Sequence, residues 1–261
     1  MHYVEREALI IEKLKLHGKV MVSDLAEELA VTPMTIRRDL VRLEQQGLLQ
    51  KLHGAAVPLD SLLKERAFGE KQLIQSQQKR LIAREALELV KAGDTILLDA
   101  GTTTFEMATL LKEVPGVNVV TNDLHIAMEL SAAEGSLFFI GGEIEKELGR
   151  SAGAKAFQFL SDIHVDTVFL GVSSVNNDLM LCSPTVDNAE LKRTMMNCGS
   201  RKVLLADESK FGTTAFARIG PLSLVDVLIT DKCFNERELS YLETNEVVLR
   251  QVRCQGHSEE K

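Results

Sequence analysis

Residues 31–40 of the chain read Val31-Thr32-Pro33-Met34-Thr35-Ile36-Arg37-Arg38-Asp39-Leu40, and this stretch decides the fold of the N-terminal part. Thr32 can cap a helix with its hydroxyl, and Pro33 suits the first helical position, where its missing amide is not needed. Ile36, Leu40 and Leu43 follow at i, i+4 and i+7, the spacing of the buried face of a helix. We therefore expect a helix from Pro33 to about Gln46. Its outer face is predicted to carry Met34, Thr35, Arg38 and Arg42.

Two shorter helices are predicted before this one. Apolar residues at helical spacing in residues 5–16, followed by Gly18, indicate the first helix. Residues 20–22 predict a small strand, and Ser23 is expected to cap a second helix that ends near Leu29. Because two residues separate Leu29 from Thr32, the second and third helices form a helix-turn-helix unit.

A β-hairpin is predicted after the third helix. Residues 48–52 predict a strand, His53-Gly54 a turn, and residues 55–57 a return strand. This hairpin completes a winged helix-turn-helix. The alternative is a small helical bundle with a solvated basic face, since charges at helical spacing usually mark only a surface.

Adjacent arginines on a short helix suit the major groove of DNA, because guanidinium pairs with guanine edges or with phosphates. Arg38 faces outward more squarely than Arg37, so we expect Arg38 to reach a base and Arg37 to contact the backbone. The side chains predicted to contact DNA are Ser23, Thr32, Met34, Thr35, Arg37, Arg38, Arg42, Lys51 and His53.

The net charge of −8 of the whole chain argues against a nucleic-acid partner, but the charge is not evenly distributed along the sequence. Up to Val57, 8 Lys or Arg stand against 8 Asp or Glu, which leaves 22 against 30 in the remainder of the totals of 30 and 38. The acidic excess therefore belongs to the C-terminal part. A neutral N-terminal part with clustered basic residues can still bind phosphates locally.

The C-terminal part alternates short apolar runs with helical stretches, a pattern typical of a parallel α/β sheet. We therefore predict an α/β fold class, with a small N-terminal winged helix and a larger, mostly parallel domain. The candidate strands are residues 95–98, 117–120, 137–140, 165–170, 202–205, 225–229 and 247–249. The predicted divisions are residues 1–57 for DNA binding, 58–78 as a linker, 79–254 for effector binding and oligomerisation, and 255–261 as a polar tail.

Ligands of such sheets bind at the carboxyl ends of the strands, so the loops there are candidate sites. The first loop opens a helix with Gly101 and three threonines, and amides with hydroxyls at a helix N-terminus suit a phosphate. An ordinary capped turn is the alternative. Polar and glycine residues also follow the other strands. The effector site is predicted to contain Asp99, Gly101, Thr102, Thr103, Thr104, Thr121, Asn122, Gly141, Gly171, Glu190, Lys192, Asp207 and Lys210.

Lys192 is the predicted cation for a bound phosphate. It lies in an expected helix from Val186 to Asn197, two residues after Glu190. A solvated surface lysine is the alternative.

The chain resembles the DeoR family of bacterial repressors, whose winged helix carries a pattern similar to residues 31–40. The resemblance runs from about Arg6 to Asp231. Its motifs in the C-terminal part match Asp99 with Gly101-Thr102-Thr103, Thr121-Asn122, Gly141-Gly142, Ala189-Glu190-Leu191-Lys192-Arg193 and Ala206-Asp207-Glu208-Ser209-Lys210-Phe211-Gly212.

This resemblance implies a repressor of a sugar catabolic operon that binds operator DNA as a homo-oligomer, a dimer or a tetramer. It also implies a sensor of a small phosphorylated sugar, related in fold to ribose-5-phosphate isomerase, whose effector relieves repression. The chain departs from the family twice. The wing reads His53-Gly54-Ala55-Ala56 where the family has His-Gly-Gly-Ala, and Val172-Ser173-Ser174-Val175 replaces a loop that often holds Asp-Gly.

Two other functions remain open. A sugar-phosphate isomerase with an appended DNA-binding arm would use Asp, Glu and Lys near a phosphate, although Ser173 and Ser174 leave it one carboxylate short. Alternatively, the C-terminal domain only oligomerises. We expect that the protein is not an enzyme and that it has neither catalytic residues nor a cofactor.

The remaining expectations concern metals and location. Cys182, Cys198, Cys233 and Cys254 lack the close spacing of metal sites, so we expect free thiols and no metal. No apolar run approaches the roughly 20 residues of a membrane span, and charges near Met1 interrupt any secretory segment. We expect a cytoplasmic protein that does not associate with membranes.

Overall fold

The structure, a computed structural model, describes residues 3–18, 20–46, 48–52, 54–58 and 65–252. The chain divides into two compact units, Met1–Lys64 and Glu65–Lys261. His53 of the predicted DNA-contacting set lies outside the described residues, as do Cys254 and the predicted polar tail. The two units are considered separately below.

The N-terminal unit is a winged helix-turn-helix, as predicted. Its three strands form an antiparallel sheet in which the third strand of the chain lies between the first and the second. Its core is made of Ile10 and Leu14 from the first helix together with apolar residues of the other elements. The elements in chain order are α1 (Tyr3–His17), β1 (Val20–Met21), α2 (Val22–Glu28), α3 (Pro33–Gln45), β2 (Leu49–Leu52) and β3 (Ala55–Pro58).

The start of α3 follows the prediction. The Thr32 hydroxyl accepts a hydrogen bond from the Thr35 amide at 3.2 Å, and Pro33 occupies the first turn. Ile36, Leu40 and Leu43 are buried in the core. The i, i+4, i+7 pattern therefore identified the inward face of this helix correctly.

The predicted cap of α2 is wrong. The N-cap residue is Met21, which makes no side-chain cap bond, and Ser23 lies inside the helix with its hydroxyl donating to Asp24 at 2.8 Å. Val22 is buried, and its amide donates to the Gly54 carbonyl of the wing at 2.9 Å. Because the wing satisfies this amide, the helix begins earlier than a serine cap would allow.

The wing is a β-hairpin despite its departure from the family pattern. Gly54 has a φ of +77°, a left-handed conformation that favours glycine. Ala55, where the family has a second glycine, is buried and lies in β3, paired with both Met21 and Leu52. An alanine is compatible with this position because it is a regular strand residue.

An ion pair joins the first helix to the third. Arg6 donates to both carboxylate oxygens of Asp39, from Nε to Oδ2 at 2.6 Å and from an Nη atom to Oδ1 at 3.1 Å. Both side chains are largely buried. The pair therefore fixes the position of α3 by a bidentate contact in addition to apolar packing.

The C-terminal unit is built on a seven-stranded parallel sheet with the order β15-β14-β12-β9-β4-β5-β6. Its strands are β4 (Thr95–Leu98), β5 (Asn118–Thr121), β6 (Leu137–Phe139), β9 (Val165–Gly171), β12 (Gly199–Leu205), β14 (Val227–Thr230) and β15 (Val248–Gln251). Each of the seven predicted strands corresponds to one of these. Helices cover the sheet, and two apolar clusters form its core. The predicted α/β class is confirmed.

The helices of this unit connect the strands. They are α4 (Phe68–Leu73), α5 (Ser76–Leu87), α6 (Thr102–Leu111), α7 (Leu124–Glu129), α8 (Ala154–Ser161), α9 (Val186–Asn197) and α10 (Glu236–Thr244). Short 3-10 turns lie at Glu208–Lys210 and Leu222–Leu224. Residues 65–78, part of the predicted linker, belong to this compact unit, where Phe68 is buried.

Two smaller sheets have no counterpart in the predictions. They are the hairpin of β7 (Glu143–Glu145) with β8 (Arg150–Ala152), and the antiparallel set β10 (Ser174–Val175), β11 (Met180–Ser183) and β13 (Ala217–Pro221). These strands are two to five residues long and carry polar or glycine residues. Such short mixed segments do not produce a distinct periodic signal.

We expect Arg6→Ala to lower the free energy of unfolding of the N-terminal unit by about 3 kcal/mol, because it leaves the buried Asp39 carboxylate without its cation. The control is Lys13→Ala, which breaks the partly exposed Lys13–Glu28 pair and should cost at most about 1 kcal/mol. Urea unfolding of the full chain followed by circular dichroism at 222 nm measures both. Equal effects of the two substitutions would contradict a structural role for the Arg6–Asp39 pair.

Candidate DNA-binding surface and effector site

The outer face of α3 presents most of the predicted DNA-contacting side chains. Met34, Arg37, Arg38 and Arg42 are exposed, and Thr35 is half-buried. The Thr32 and Thr35 hydroxyls lie 2.9 Å apart, so the first turn is ordered by its own side chains. Both arginines 37 and 38 are exposed, and their separate roles stay a prediction.

Two further contacts frame this surface. The Arg42 guanidinium lies 5.0 Å from the centre of the Tyr3 ring, a cation–π contact that restrains its end of α3. The Lys51 amide donates to the Glu44 carboxylate at 2.8 Å, which ties the wing to the end of α3. Lys51 is half-buried and Ser23 is exposed. The sequence pattern gave no signal for the Tyr3 contact, because helical spacing within one element cannot reveal a partner on another.

The loop after β4 is held by the loop after the neighbouring strand β5. The Ala100 amide donates to Asn122 Oδ1 at 3.0 Å, and the Gly101 amide donates to Asp123 Oδ2 at 3.2 Å. The Thr121 hydroxyl donates to the Leu98 carbonyl at 2.8 Å. The structure therefore brings the predicted residues of these two loops together, and the neighbouring side chains fix the backbone of the first loop.

The first turn of α6 follows directly on this fixed loop. Thr102, Thr103 and Thr104 are buried, and the Thr104 hydroxyl donates to the Gly101 carbonyl at 2.8 Å. The leading amides of a helix have no intrahelical acceptor and lie at the positive end of its dipole. Such amides favour an anion. This turn is the candidate phosphate site.

Lys192 is buried rather than solvated. It is 5% exposed, and its ammonium group donates to Asp99 Oδ2 and, at 3.0 Å, to the Gly171 carbonyl. The Gly171 amide donates to the same Asp99 oxygen at 3.0 Å. These contacts join the ends of β4 and β9 to α9. The alternative of a solvated surface lysine is therefore wrong. The buried ammonium is paired, as a buried charge must be.

The other predicted effector residues are more dispersed. Glu190 is exposed, two positions from Lys192 and so on a different side of α9. Gly141 is exposed beyond β6. Asp207 is buried, with Oδ1 accepting from the Ser209 amide at 3.0 Å and Oδ2 without a hydrogen-bond partner among the described residues. Lys210 is half-buried in the same 3-10 turn.

Several residues around the loop were missed by sequence reasoning. Asp123 directly follows Asn122 at the carboxyl end of β5, so its position could have identified it. Its carboxylate also accepts from the His125 amide at 2.7 Å. Burial raises the pKa of Asp123, and the amides of His125 and Ile126 partly oppose this shift. Glu65 and Arg150 lie 85 positions apart, and no local pattern could have paired them.

Glu65 and Arg150 form the centre of an ionic cluster beside Lys192. Glu65 Oε1 accepts from Lys71 at 2.8 Å, and Glu65 Oε2 accepts from Arg150 at 2.7 Å. Arg150 also makes two contacts of 2.9 Å with Glu145. Burial alone would raise the pKa of Glu65, but Lys71, Arg150 and Lys192 outweigh it and lower this pKa to about 2.

A buried lysine adjoins this cluster. Lys79 is 1% exposed and donates to the carbonyls of Lys71 and, at 2.6 Å, Ile74. Burial is the main cause that lowers the pKa of Lys79 to about 8, and the nearby cation Lys210 lowers this pKa further. Lys79 therefore fastens the end of α4 to α5.

Two family models match the chain. The model described as "DeoR-like helix-turn-helix domain" matches residues 6–61, and the model described as "DeoR C terminal sensor domain" matches residues 74–232. The chain belongs to the DeoR family. The resemblance predicted from the sequence is therefore confirmed, and this DeoR-family chain is a transcriptional regulator.

Curated relatives of this DeoR-family chain align along most of its length. It is 33% identical to the glycerol-3-phosphate regulon repressor of Escherichia coli (strain K12), over 88% of this chain and 92% of that protein. It is 32% identical to the HTH-type transcriptional repressor GlcR of Bacillus subtilis (strain 168), over 95% and 96%. Ribose 5-phosphate isomerase A of Methanocaldococcus jannaschii aligns with a TM-score of 0.38 and 22% identity, over 52% of this chain and 54% of that one.

Metal-ligand groups, thiols and long apolar helices were sought in the part of the DeoR-family chain that the structure describes. No group of three or more His, Cys, Asp or Glu residues there could hold a metal ion. Cys182 and Cys198 are buried thiols and Cys233 is an exposed one. No helix within those residues is long and apolar enough to cross a membrane.

The Glu65 cluster predicts a specific dependence of stability on pH. Because folding lowers the pKa of Glu65 from 4.5 to about 2, its ion pairs stabilise the C-terminal unit above pH 4.5, and this stability is lost as the pH falls toward 2. We expect Glu65→Gln to cost roughly 3 kcal/mol at pH 6 and much less at pH 2. Urea unfolding at both pH values tests this. A cost that does not change with pH would show that the charge of Glu65 contributes nothing.

Proposed function

We propose that this DeoR-family regulator represses a carbohydrate operon by binding operator DNA through α3 and the wing, and that a small phosphorylated sugar relieves the repression. The main support for effector sensing is the first turn of α6. Its leading amides follow a loop whose backbone is hydrogen-bonded to the side chains of Asn122 and Asp123. A rigid arrangement of donors favours an anion because binding does not require them to be reorganised.

The DNA half of the proposal rests on the exposed basic side chains of α3. Arg37, Arg38 and Arg42 are exposed on one short helix that a winged helix-turn-helix would insert into the major groove. Lys51, on the wing strand β2, suits a phosphate contact. We propose the complete predicted set as the DNA-contacting residues, and a homo-oligomer, dimer or tetramer, as the form that binds two operator half-sites.

The effector half of the proposal combines the α6 turn with Lys192. The phosphate would accept hydrogen bonds from the amides of residues 102–104. Lys192 lies next to this loop through its bond to Asp99 and supplies the positive charge. The relatives' names include a glycerol-3-phosphate regulon repressor, which suits a small phosphorylated effector. Gly141 and Glu190, both exposed, are the least supported members of the proposed site.

An electrophoretic mobility shift assay tests the proposal directly. The full chain is mixed with an operator selected from random DNA duplexes, and phosphorylated sugars and glycerol 3-phosphate are added one at a time. We expect at least one of them to release the DNA, and the unphosphorylated sugars to have no effect. Insensitivity of the complex to every phosphorylated compound would overturn the sensor half and leave the DNA half intact.

Base reading and phosphate contact by the N-terminal unit can be separated by mutation. We expect Arg38→Ala to weaken binding to the selected operator by roughly 1 to 3 kcal/mol and to leave nonspecific binding nearly unchanged, because it removes a contact to a base. Lys51→Ala should weaken binding to all sequences alike and reduce the slope of affinity against salt by about one unit. Titrations at several salt concentrations measure both. An Arg38→Ala variant that keeps full specificity would exclude base reading by this residue.

A hydroxyl in the α6 turn gives a matched test of the effector site. We expect Thr103→Val to weaken binding of the releasing sugar phosphate about tenfold, because it removes a hydrogen bond to a charged group. The control is Thr109→Val on the same helix, whose hydroxyl donates to the Glu106 carbonyl and lies away from the first turn. Calorimetric titration of the full chain measures the affinities. Weakening by Thr109→Val to the same extent would point to a general loss of helix stability instead.

A further inference from the structure

The first residues of the C-terminal unit lie against the candidate effector loop. Phe68 on α4 contacts Phe105 of α6 edge to face, with ring centres 5.5 Å apart, and stacks on His125 at 3.7 Å. Its amide donates to the Glu147 carbonyl at 3.2 Å. Residues 65–74, which we call the entry segment, are therefore packed over the first turns of α6. In sequence they follow residues 59–64, which lead back to the winged helix.

A continuous set of polar contacts joins the entry segment to the loop itself. Glu65 binds Arg150 on β8, and the next residue, Ser151, donates its amide to the Asn122 carbonyl at 2.8 Å. Asn122 returns a bond from its side-chain amide to the Ser151 carbonyl at 3.1 Å, and its Oδ1 holds the Ala100 amide. These contacts connect Glu65 to the loop through β8.

The cations nearest Glu65 already have carboxylate partners. Lys71, Arg150 and Lys192 pair with the carboxylates of Glu65, Glu145 and Asp99, and the buried Lys79 adjoins them without a carboxylate ion pair among the described residues. A phosphate beside Lys192 would add negative charge to this poorly solvated cluster, and the unfavourable charge is reduced if one carboxylate moves away. Asp99 is anchored by the Gly171 amide within the sheet. Glu65, by contrast, precedes α4 and lies outside the helices and strands of its unit.

We propose that the Glu65 carboxylate and the anionic effector compete for Lys71, Arg150 and Lys192, so that effector binding releases the entry segment from which the chain continues to the winged helix. The inference rests on the proposed sensing of a phosphorylated sugar and supplies its route to the DNA-binding unit. Coupling is reciprocal, so the anchoring of Glu65 must weaken effector binding by the same factor as the effector weakens that anchoring.

Because of this reciprocity, loss of the Glu65 charge should raise the affinity for the effector, whereas a structural defect would lower it. We expect Glu65→Gln to bind glucose 6-phosphate, glycerol 3-phosphate or inorganic phosphate, whichever the wild type binds, roughly fivefold more tightly or better. A residue that merely supports the fold would give weaker binding when replaced. The matched control is Glu145→Gln, which removes the other carboxylate from Arg150 without touching the entry segment. We expect it to change affinity less than about twofold, since Glu145 is partly exposed and screened. Calorimetry on the full chain gives each value.

Release of the entry segment is measured independently by limited proteolysis. Trypsin can cut after Lys64 and Arg66 at the two sides of Glu65. We expect the bound phosphate compound to accelerate these cuts severalfold in the wild type, and Glu65→Gln to be cut at the fast rate with or without it. Lys71→Gln, which removes one of the two direct partners of Glu65, should show an intermediate rate and serves if Glu65→Gln fails to fold.

The outcomes separate this inference from the proposed function. Failure of the wild type to bind any of the three phosphate compounds overturns phosphate sensing, and this inference with it. Binding by the wild type, together with unchanged or weaker affinity in Glu65→Gln and with cuts that do not respond to ligand, overturns the competition alone. Tighter binding by Glu65→Gln together with ligand-independent cutting of that variant supports it.

Discussion

The bond between Lys192 and Asp99 is the contact on which the arrangement of the C-terminal unit depends. A buried ammonium is tolerated only when it is paired, and here it is shared between the Asp99 carboxylate and the Gly171 carbonyl. These partners lie at the ends of β4 and β9, while the lysine comes from α9. One side chain therefore closes the carboxyl edge of the sheet at its centre, where the loop leading to α6 begins.

Most of the sheet could be predicted from the sequence because its inner strands are largely buried. Strands buried on both faces are continuous apolar runs, and β4 and β14 carry that signal directly. The small sheets that include Arg150 and Ser174 could not be predicted, since their strands are two to five residues long and mix polar with apolar residues. Ser23 shows a related limit. A serine before a helix usually caps it, but the wing carbonyl of Gly54 satisfies the Val22 amide and the helix starts earlier.

The candidate site divides in the same way. Asp99 and Asn122 were predicted from residue type and position at strand ends, and Lys192 was predicted as a cation within a helix. Their bonds to one another were not predicted, because pairing across the sheet is a property of the fold. Glu65 was assigned to a linker for its polar surroundings in the sequence. Polarity near a domain boundary predicts solvent exposure, whereas this carboxylate bonds Lys71 of its own segment and Arg150 of β8, and Lys192 also lowers its pKa.

The two units pair their buried charges in different ways, and each way suits the proposed role of its unit. Arg6 and Asp39 form a bidentate pair with two hydrogen bonds, which helps to hold α3 in place. In the Glu65 cluster, Arg150 instead contacts two carboxylates, those of Glu65 and Glu145. A bidentate pair favours a rigid surface for reading DNA. A cation shared between two carboxylates has alternative partners, and the proposed anion would select among them.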